Sequence, residues 1–254
     1  MALLAVVLCA SFAACSDDDD ESNGGMPSGS GLKLSSFTWD DGRWDDYSYD
    51  AQGRVNKVER YDETGKFDES INFEYNDNKI IATSDGGYRI VCFLNSNGQI
   101  EKTACTGDYS TETCTYTYDG NGHLTSINEE DGESYPFIWE NDNLVRIDNY
   151  RYYDGYGMLT FKYTSIPSSK GLFIYYDDFL IDIFSDVFTL PLLANLGYFG
   201  KVPQNMLESI TYTDKSSGDA YVVKYSYELG KDGYVSKISG EDDGETTWVK
   251  LTWK

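Results

Sequence analysis

The sequence predicts an all-β domain: an antiparallel meander of hairpins curling into an open or closed barrel, with one helical insertion packed on it or plugging it. Three observations carry that prediction. A strand-turn-strand phrase recurs along the chain, an apolar pair three residues apart follows most of its turns, and one segment, 174–196, replaces the pattern with helical spacing.

Taken in order, residues 1–14 hold an apolar run from Leu3 to Ala14. It is too short for a membrane span, which needs about 20 residues. Small Ala13 and Ala14 stand before Cys15, as they do where a signal peptide is cut and a thiol acylated. No Lys or Arg precedes the run. Phe12-Ala13-Ala14-Cys15 resembles the lipobox of bacterial lipoproteins, with Phe12 where Leu is usual. The following Asp17, Asp18, Asp19 and Asp20 resemble the surface-export signal of Bacteroidetes lipoproteins. Together these resemblances imply a lipid-anchored protein of the outer membrane, exposed at the cell surface. The same four aspartates also read as a solvated charge run or as a calcium-binding stretch, although a flexible tail lacks the oxygen cage that calcium requires. Residues 15–31 end in a Gly/Ser-rich tether, and 32–254 form the single β-rich domain.

The 254 residues carry 43 Asp and Glu against 20 Lys and Arg, a net charge of −23. That balance excludes nucleic acid as a partner and direct adsorption to anionic lipid, because both need basic side chains to neutralise phosphate. Membrane contact therefore falls to the lipid on Cys15. Of the remaining cysteines, Cys105 and Cys114 flank a turn placed at Tyr109-Ser110. Directly opposite each other there, they would form a disulfide, which an exported protein permits. Cys92 is expected opposite Glu101, as a buried free thiol. No spacing of Cys or His builds a metal site, and no cofactor motif is present.

The recurring phrase is clearest in Tyr47-Ser48-Tyr49-Asp50-Ala51-Gln52-Gly53-Arg54-Val55 and Tyr116-Thr117-Tyr118-Asp119-Gly120-Asn121-Gly122-His123-Leu124, with weaker copies from Phe73, Phe93, Phe137 and Tyr225. Asp or Asn opens most of the turns, where its side chain can accept a backbone hydrogen bond two residues on. Gly or Asn closes most of them, where the left-handed conformation is needed. Val55 and Val58, Leu124 and Ile127, Leu144 and Ile147, and Val235 and Ile238 follow the turns. Three apart on a regular strand they would face opposite ways, so a β-bulge is expected after each turn.

The phrase resembles the YD repeat of bacterial Rhs-type shells. More of the chain is similar to a Bacteroidetes family of lipoproteins of unknown function, described as porin-like in fold. The shared features are the lipobox, the acidic run, degenerate Tyr-Asp hairpins, and an apolar insertion ending in Gly200-Lys201-Val202-Pro203-Gln204-Asn205. The resemblance implies a barrel and carries no activity. Strands such as Ala220 to Glu228 lack the continuous apolar outer band of a membrane barrel.

In the insertion, Phe179, Ile183 and Val187 share one helical stripe and Leu180 and Phe184 another. Asp177 and Asp178 suit a helix start, and Pro191 ends the helix or begins another turn. Such a helix plugs the barrel or covers a sheet face; binding a partner is the alternative. Two aromatic groups read as glycan platforms or as cross-strand packing: Trp39, Trp44, Tyr47, Tyr49 and Tyr61, and the loop residues Tyr150, Tyr152, Tyr153 and Tyr156. Catalytic residues are not evident. His123, the only histidine, occupies the position of Arg54, Lys79 and Gln99 in other copies, which reads as a solvated strand position. The expected function is a non-catalytic binding or accessory module for a glycan or protein ligand. The alternative is a surface hydrolase whose paired carboxylates the sequence does not single out.

Overall fold

The recurring Asp and Gly make one kind of turn. In the computed structural model, which describes residues 32–106, 111–152, 155–172 and 189–254, Asp50 Oδ1 accepts the backbone N–H groups of Gln52 and Arg54, both at 2.9 Å. Asp119 does the same for Asn121 and His123, Asn95 for Asn97 and Gln99, and Asp62 for Thr64 and Lys66. The glycine in each turn has positive φ, +81° at Gly53 and +86° at Gly122. One oxygen thus satisfies two donors that a turn leaves without partners, while glycine supplies the left-handed step.

These turns join sixteen strands among the described residues. They are β1 (Leu34–Trp39), β2 (Trp44–Tyr49), β3 (Val55–Tyr61), β4 (Phe67–Asn76), β5 (Lys79–Ser84), β6 (Arg89–Leu94), β7 (Ile100–Thr106) and β8 (Thr111–Tyr118), then β9 (Leu124–Glu129), β10 (Ser134–Glu140), β11 (Asn143–Tyr152), β12 (Gly155–Pro167), β13 (Asn205–Asp214), β14 (Ala220–Leu229), β15 (Val235–Asp242) and β16 (Glu245–Trp253). Each pairs antiparallel with its neighbours in chain order, and β1 pairs with β16, so the meander closes into a barrel.

The expected bulges are present. The ladder shifts between Ser48 and Tyr49 opposite Val55, between Thr117 and Tyr118 opposite Leu124, between Ile138 and Trp139 opposite Leu144, and between Glu228 and Leu229 opposite Val235. Each bulge turns both members of the apolar pair inward, and Val55, Val58, Leu124, Ile127, Leu144, Ile147, Val235 and Ile238 are all buried. The hairpin of β4 and β5 turns in two residues, has no shift, and keeps strict alternation through Ile80, Ala82 and Ser84.

A bulge interrupts the ladder, and a carbonyl beside it needs another donor. An aromatic side chain from the next hairpin supplies it. The hydroxyls of Tyr49, Tyr75, Tyr118, Tyr163 and Tyr227 donate to the carbonyls of Leu34, Val55, Ile100, Leu144 and Leu207. The indole N–H groups of Trp139 and Trp253 donate to those of Leu124 and Val235. The second Tyr of the repeated phrase is therefore a stitch between successive hairpins. Replacing Tyr118, whose hydroxyl lies 2.5 Å from the Ile100 oxygen, with Phe should cost about 1–3 kcal/mol, since it orphans a buried carbonyl. Urea midpoints at constant m-value measure this, and an unchanged midpoint would show that the carbonyl has another donor.

Buried side chains from all around the barrel form one cluster with Leu190, Leu193 and Phe199 of the insertion. A side chain outside a closed barrel has no layer to cover it, so this cluster fills the interior. Asp46, Ser48, Glu74, Thr115, Lys162 and Lys224, at the alternate positions, are exposed on the outer face. Polarity is thus the reverse of a membrane barrel, with apolar residues inside and polar ones outside. No helix among the described residues is long and apolar enough to cross a membrane.

The described part of the insertion packs into one end of the barrel. After a 3-10 turn at Ser168–Lys170, the described chain resumes with α1 (Thr189–Asn195), every residue of which is buried. Pro191 lies in its first turn, where the missing N–H is no loss. The helical stripes expected at Phe179 to Val187 lie outside the described residues. Past α1, the Tyr198 carbonyl accepts the Ile100 N–H at 2.7 Å, and the N–H groups of Lys201 and Gln204 donate to the carbonyls of Gly122 and Asp142. Phe199 meets Tyr116 edge to face, with ring centroids 4.8 Å apart. The Gly200 to Asn205 element is therefore the seat of the plug against the turns. Lys33 and Lys254, each donating its N–H to the other's carbonyl at 2.8 Å, lie at this same end.

One expected pairing is corrected. Cys105 stands opposite Glu112, and Cys114 opposite Thr103, so Cys105 and Cys114 are out of step and carry thiols rather than a disulfide. Cys92 also stands opposite Thr103, not Glu101, because the bulge after the preceding turn moves the register. It is a free thiol, fully buried, and burial pushes its pKa up.

Candidate functional site

His123 is not a solvated residue. It is buried, its ring stacks on Trp139 with centroids 4.7 Å apart, Nδ1 lies 3.0 Å from Asp119 Oδ2, and Nε2 lies 2.8 Å from Asp142 Oδ1. The equivalence with Arg54 holds in another sense: Arg54 likewise returns to its turn aspartate, through Nε to Asp50 Oδ2 at 2.8 Å, and lies over the Tyr75 ring. Partial burial works against ionisation of Asp119, but hydrogen bonds from the His123 ring and from two backbone N–H groups outweigh it and hold the carboxyl below its ordinary range. Both ring nitrogens of His123 are engaged by carboxylates. Neither is left to activate a nucleophile, so the cluster braces the plugged end, where Lys201 Nζ also approaches Asp142 at 3.8 Å.

The predicted loop of tyrosines is divided. Tyr150 is in the core, 1% exposed, edge to face with Tyr212, which corrects its reading as a ligand contact. The bulge between Asp148 and Tyr150 turns it inward. Tyr152 pairs with Gly155 through its backbone, but its side chain and the whole of Tyr153 lie outside the described residues. Tyr156 is exposed and donates its hydroxyl to Glu133 at 2.7 Å. Cys15 and Asp17 to Asp20 also lie outside the described residues. Among the described residues no group of His, Cys, Asp and Glu is arranged to hold a metal ion.

At the end away from the plug, one acid stands inside the barrel. Asp45 is wholly buried, with Oδ1 accepting from Arg60 Nε at 3.1 Å and Oδ2 without a hydrogen-bond partner among the described residues. Arg60 Nη1 continues to Glu69 at 3.7 Å. Burial raises the Asp45 pKa to about 6, against the opposing pull of the Arg60 charge. An arginine between two carboxylates, one of them shut away from solvent, is an ion-pair network and not an acid and base facing a substrate.

The outer face at that end is different. Alternation along β2 turns Tyr47 inward and Trp44 outward; Trp44 is in register with Tyr61 on β3, and Tyr61 with Phe67 on β4. The Trp44 and Tyr61 rings stack with centroids 5.0 Å apart and planes 12° apart, and Phe67 meets Tyr61 edge on at 6.0 Å. Phe67 is 45% exposed, and Trp44 and Tyr61 are half-buried. Of the first aromatic group predicted, Trp44 and Tyr61 are thus outside, while Trp39 and Tyr47 are buried in the core and Tyr49 packs against it. Phe67 is absent from that predicted group, although its register with Tyr61 follows from the Asp62-to-Gly65 turn.

Among solved structures, a porin-like protein from Bacteroides uniformis superposes with a TM-score of 0.66 at 18% identity, covering 91% of this chain and 98% of its own. A second, from Bacteroides vulgatus, superposes with a TM-score of 0.58 at 13% identity, covering 88% and 99%. At these identities the likeness is one of fold. No curated protein matches the chain. Residues 47–253 match the family described as a domain of unknown function (DUF4595) with porin-like fold, and the chain belongs to that family.

Proposed function

We propose that the protein is a surface module, tethered to the outer membrane by lipid on Cys15 and exported through Asp17 to Asp20, that binds carbohydrate without transforming it. The observation that carries this reading is the outward row of Trp44, Tyr61 and Phe67, three rings in contact across three adjacent strands, since flat aromatic faces are the usual contact for sugar rings. Among the described residues apolar side chains and α1 occupy the interior, which turns recognition to the outer face and loops. The placement of Lys33 supports it further: the tether joins the barrel at the plugged end, so the aromatic row stands at the end away from the lipid. The lipobox supports the outer-membrane address.

Cells producing the full chain, mixed with beads carrying a panel of polysaccharides, test both parts. Binding is expected for the parent. The Cys15→Ala variant should lose binding by intact cells while the purified protein retains it, and Trp44→Ala should lose both. New reducing ends that disappear when one Asp or Glu is changed to Asn or Gln would overturn the non-catalytic reading.

A further inference from the structure

The aromatic row does not end at Trp44. Thr38 on β1 is in register with Trp44, Lys250 on β16 with Thr38, and Lys237 on β15 with Lys250. Phe67, Tyr61, Trp44, Thr38, Lys250 and Lys237 thus form one continuous line across the outer face of six strands. It is aromatic at one end and basic at the other.

The rings fix what lies between. Trp44 and Tyr61 have near-parallel planes and a centroid separation close to the strand spacing of about 4.8 Å, so both rings stand up from the sheet with their faces turned from strand to strand. One face of Trp44 meets Tyr61. The other is turned toward β1, where the short side chain of Thr38 leaves it without a ring or cation against it among the described residues. Beyond Thr38, Lys250 Nζ lies 4.8 Å from the Trp248 ring centroid, with Lys237 Nζ 5.7 Å from the same ring. Trp44 and the Lys250 strand are two spacings apart, roughly 10 Å, a slot wide enough for one sugar ring and its substituents. Lys237 is paired with Glu228 at 3.0 Å, whereas among the described residues no carboxylate is paired with Lys250. Asp40, whose Oδ2 accepts the backbone N–H of Trp248 at 3.2 Å, and exposed Asp46 are acidic groups near the slot.

We infer that the slot over Thr38 takes an anionic sugar, a hexuronate unit of an acidic polysaccharide, stacked on the open face of Trp44 with its carboxylate on Lys250. Charge complementarity selects this occupant. A chain of net charge −23 repels polyanions in general, so an acidic sugar needs a local cation, and Lys250, with no carboxylate paired to it among the described residues, supplies one across Thr38 from the Trp44 ring. The inference rests on the carbohydrate-binding reading above and adds the charge of the ligand.

Oligogalacturonate and its fully methyl-esterified form present the same rings with and without charge. Isothermal titration of the purified protein with each is expected to show the free acid binding about tenfold more tightly, a preference that weakens with added salt. Lys250→Gln, at an exposed position, should erase that preference and leave binding of the ester unchanged, while Trp44→Ala should abolish binding of both. Equal affinity for acid and ester, or a preference that survives Lys250→Gln, overturns the inference while sparing the broader reading. Failure of every saccharide to bind overturns both.

Discussion

At pH 8 the Asp45→Asn variant is expected to be more stable than the parent by up to about 3 kcal/mol, and at pH 4 the two should be nearly equal. The parent carboxyl has an ordinary pKa of 3.8 unfolded and about 6 in the barrel. Between those values the folded protein holds a proton that the unfolded chain releases, so stability falls as pH rises through that window and stays reduced above it. A rise from 3.8 to about 6 is worth about 3 kcal/mol. Asparagine keeps an oxygen for Arg60 Nε and carries no charge to bury, so it removes the loss. Urea midpoints of both proteins across this range measure the difference. If the variant is the less stable of the two at pH 8, the ion pair with Arg60 outweighs the burial of Asp45.

Gly200→Ala should cost about 3 kcal/mol and loosen the plug. Its φ of +84° lies where an L side chain is strained, and an added Cβ would be driven against the Gly122 carbonyl oxygen and within 3.2 Å of the Tyr118 ring. Strain of about 1–2 kcal/mol and overpacking of about 1–3 kcal/mol act together there. Gly98→Ala is the comparison, since its φ is +78° but nothing lies within 4 Å of the new methyl group. Gly98→Ala should therefore show the conformational cost alone. Trypsin cleavage after exposed Lys201 should become faster in Gly200→Ala and stay unchanged in Gly98→Ala. Equal midpoints and equal cleavage in the two variants would mean that the plug does not depend on the close approach at Gly200.

The parts of this fold that were legible in the sequence are those set by local chemistry. Asp50, Gly53 and their counterparts announce a turn because one side-chain oxygen and one left-handed residue suffice to make it, and the pair Val55 and Val58 announces a bulge because both must be buried. The register of Cys105 and Cys114 was not legible. A slip of two residues keeps every side chain on its own face, so alternation fits either register and cannot tell which residue faces Cys114. The burial of His123 was hidden because the position after the turn tolerates any polar side chain that can fold back to the turn aspartate and onto a ring, as Arg54 also does. The aromatic row depends on which of Trp44 and Asp45 faces outward. The alternation with Tyr47 and Tyr49 answers that, at the expense of an aspartate in the core, an outcome that a rule of apolar residues inside would reject.

Closure of the barrel through β1 and β16 has a consequence for how the chain reaches this state. Leu34 pairs with Trp253, so the seam joins residues from the two ends of the domain. The other ladders link strands consecutive in the chain, and apart from β12 with β13, which the insertion separates, they join near neighbours in sequence, but β1 presents an unpaired edge until the last strand has emerged. Contacts of such long sequence separation form slowly, because a long loop must close before they are made. A truncation that removes β16 would therefore leave a ribbon of fifteen strands with two open edges, prone to pairing with other copies instead of with itself.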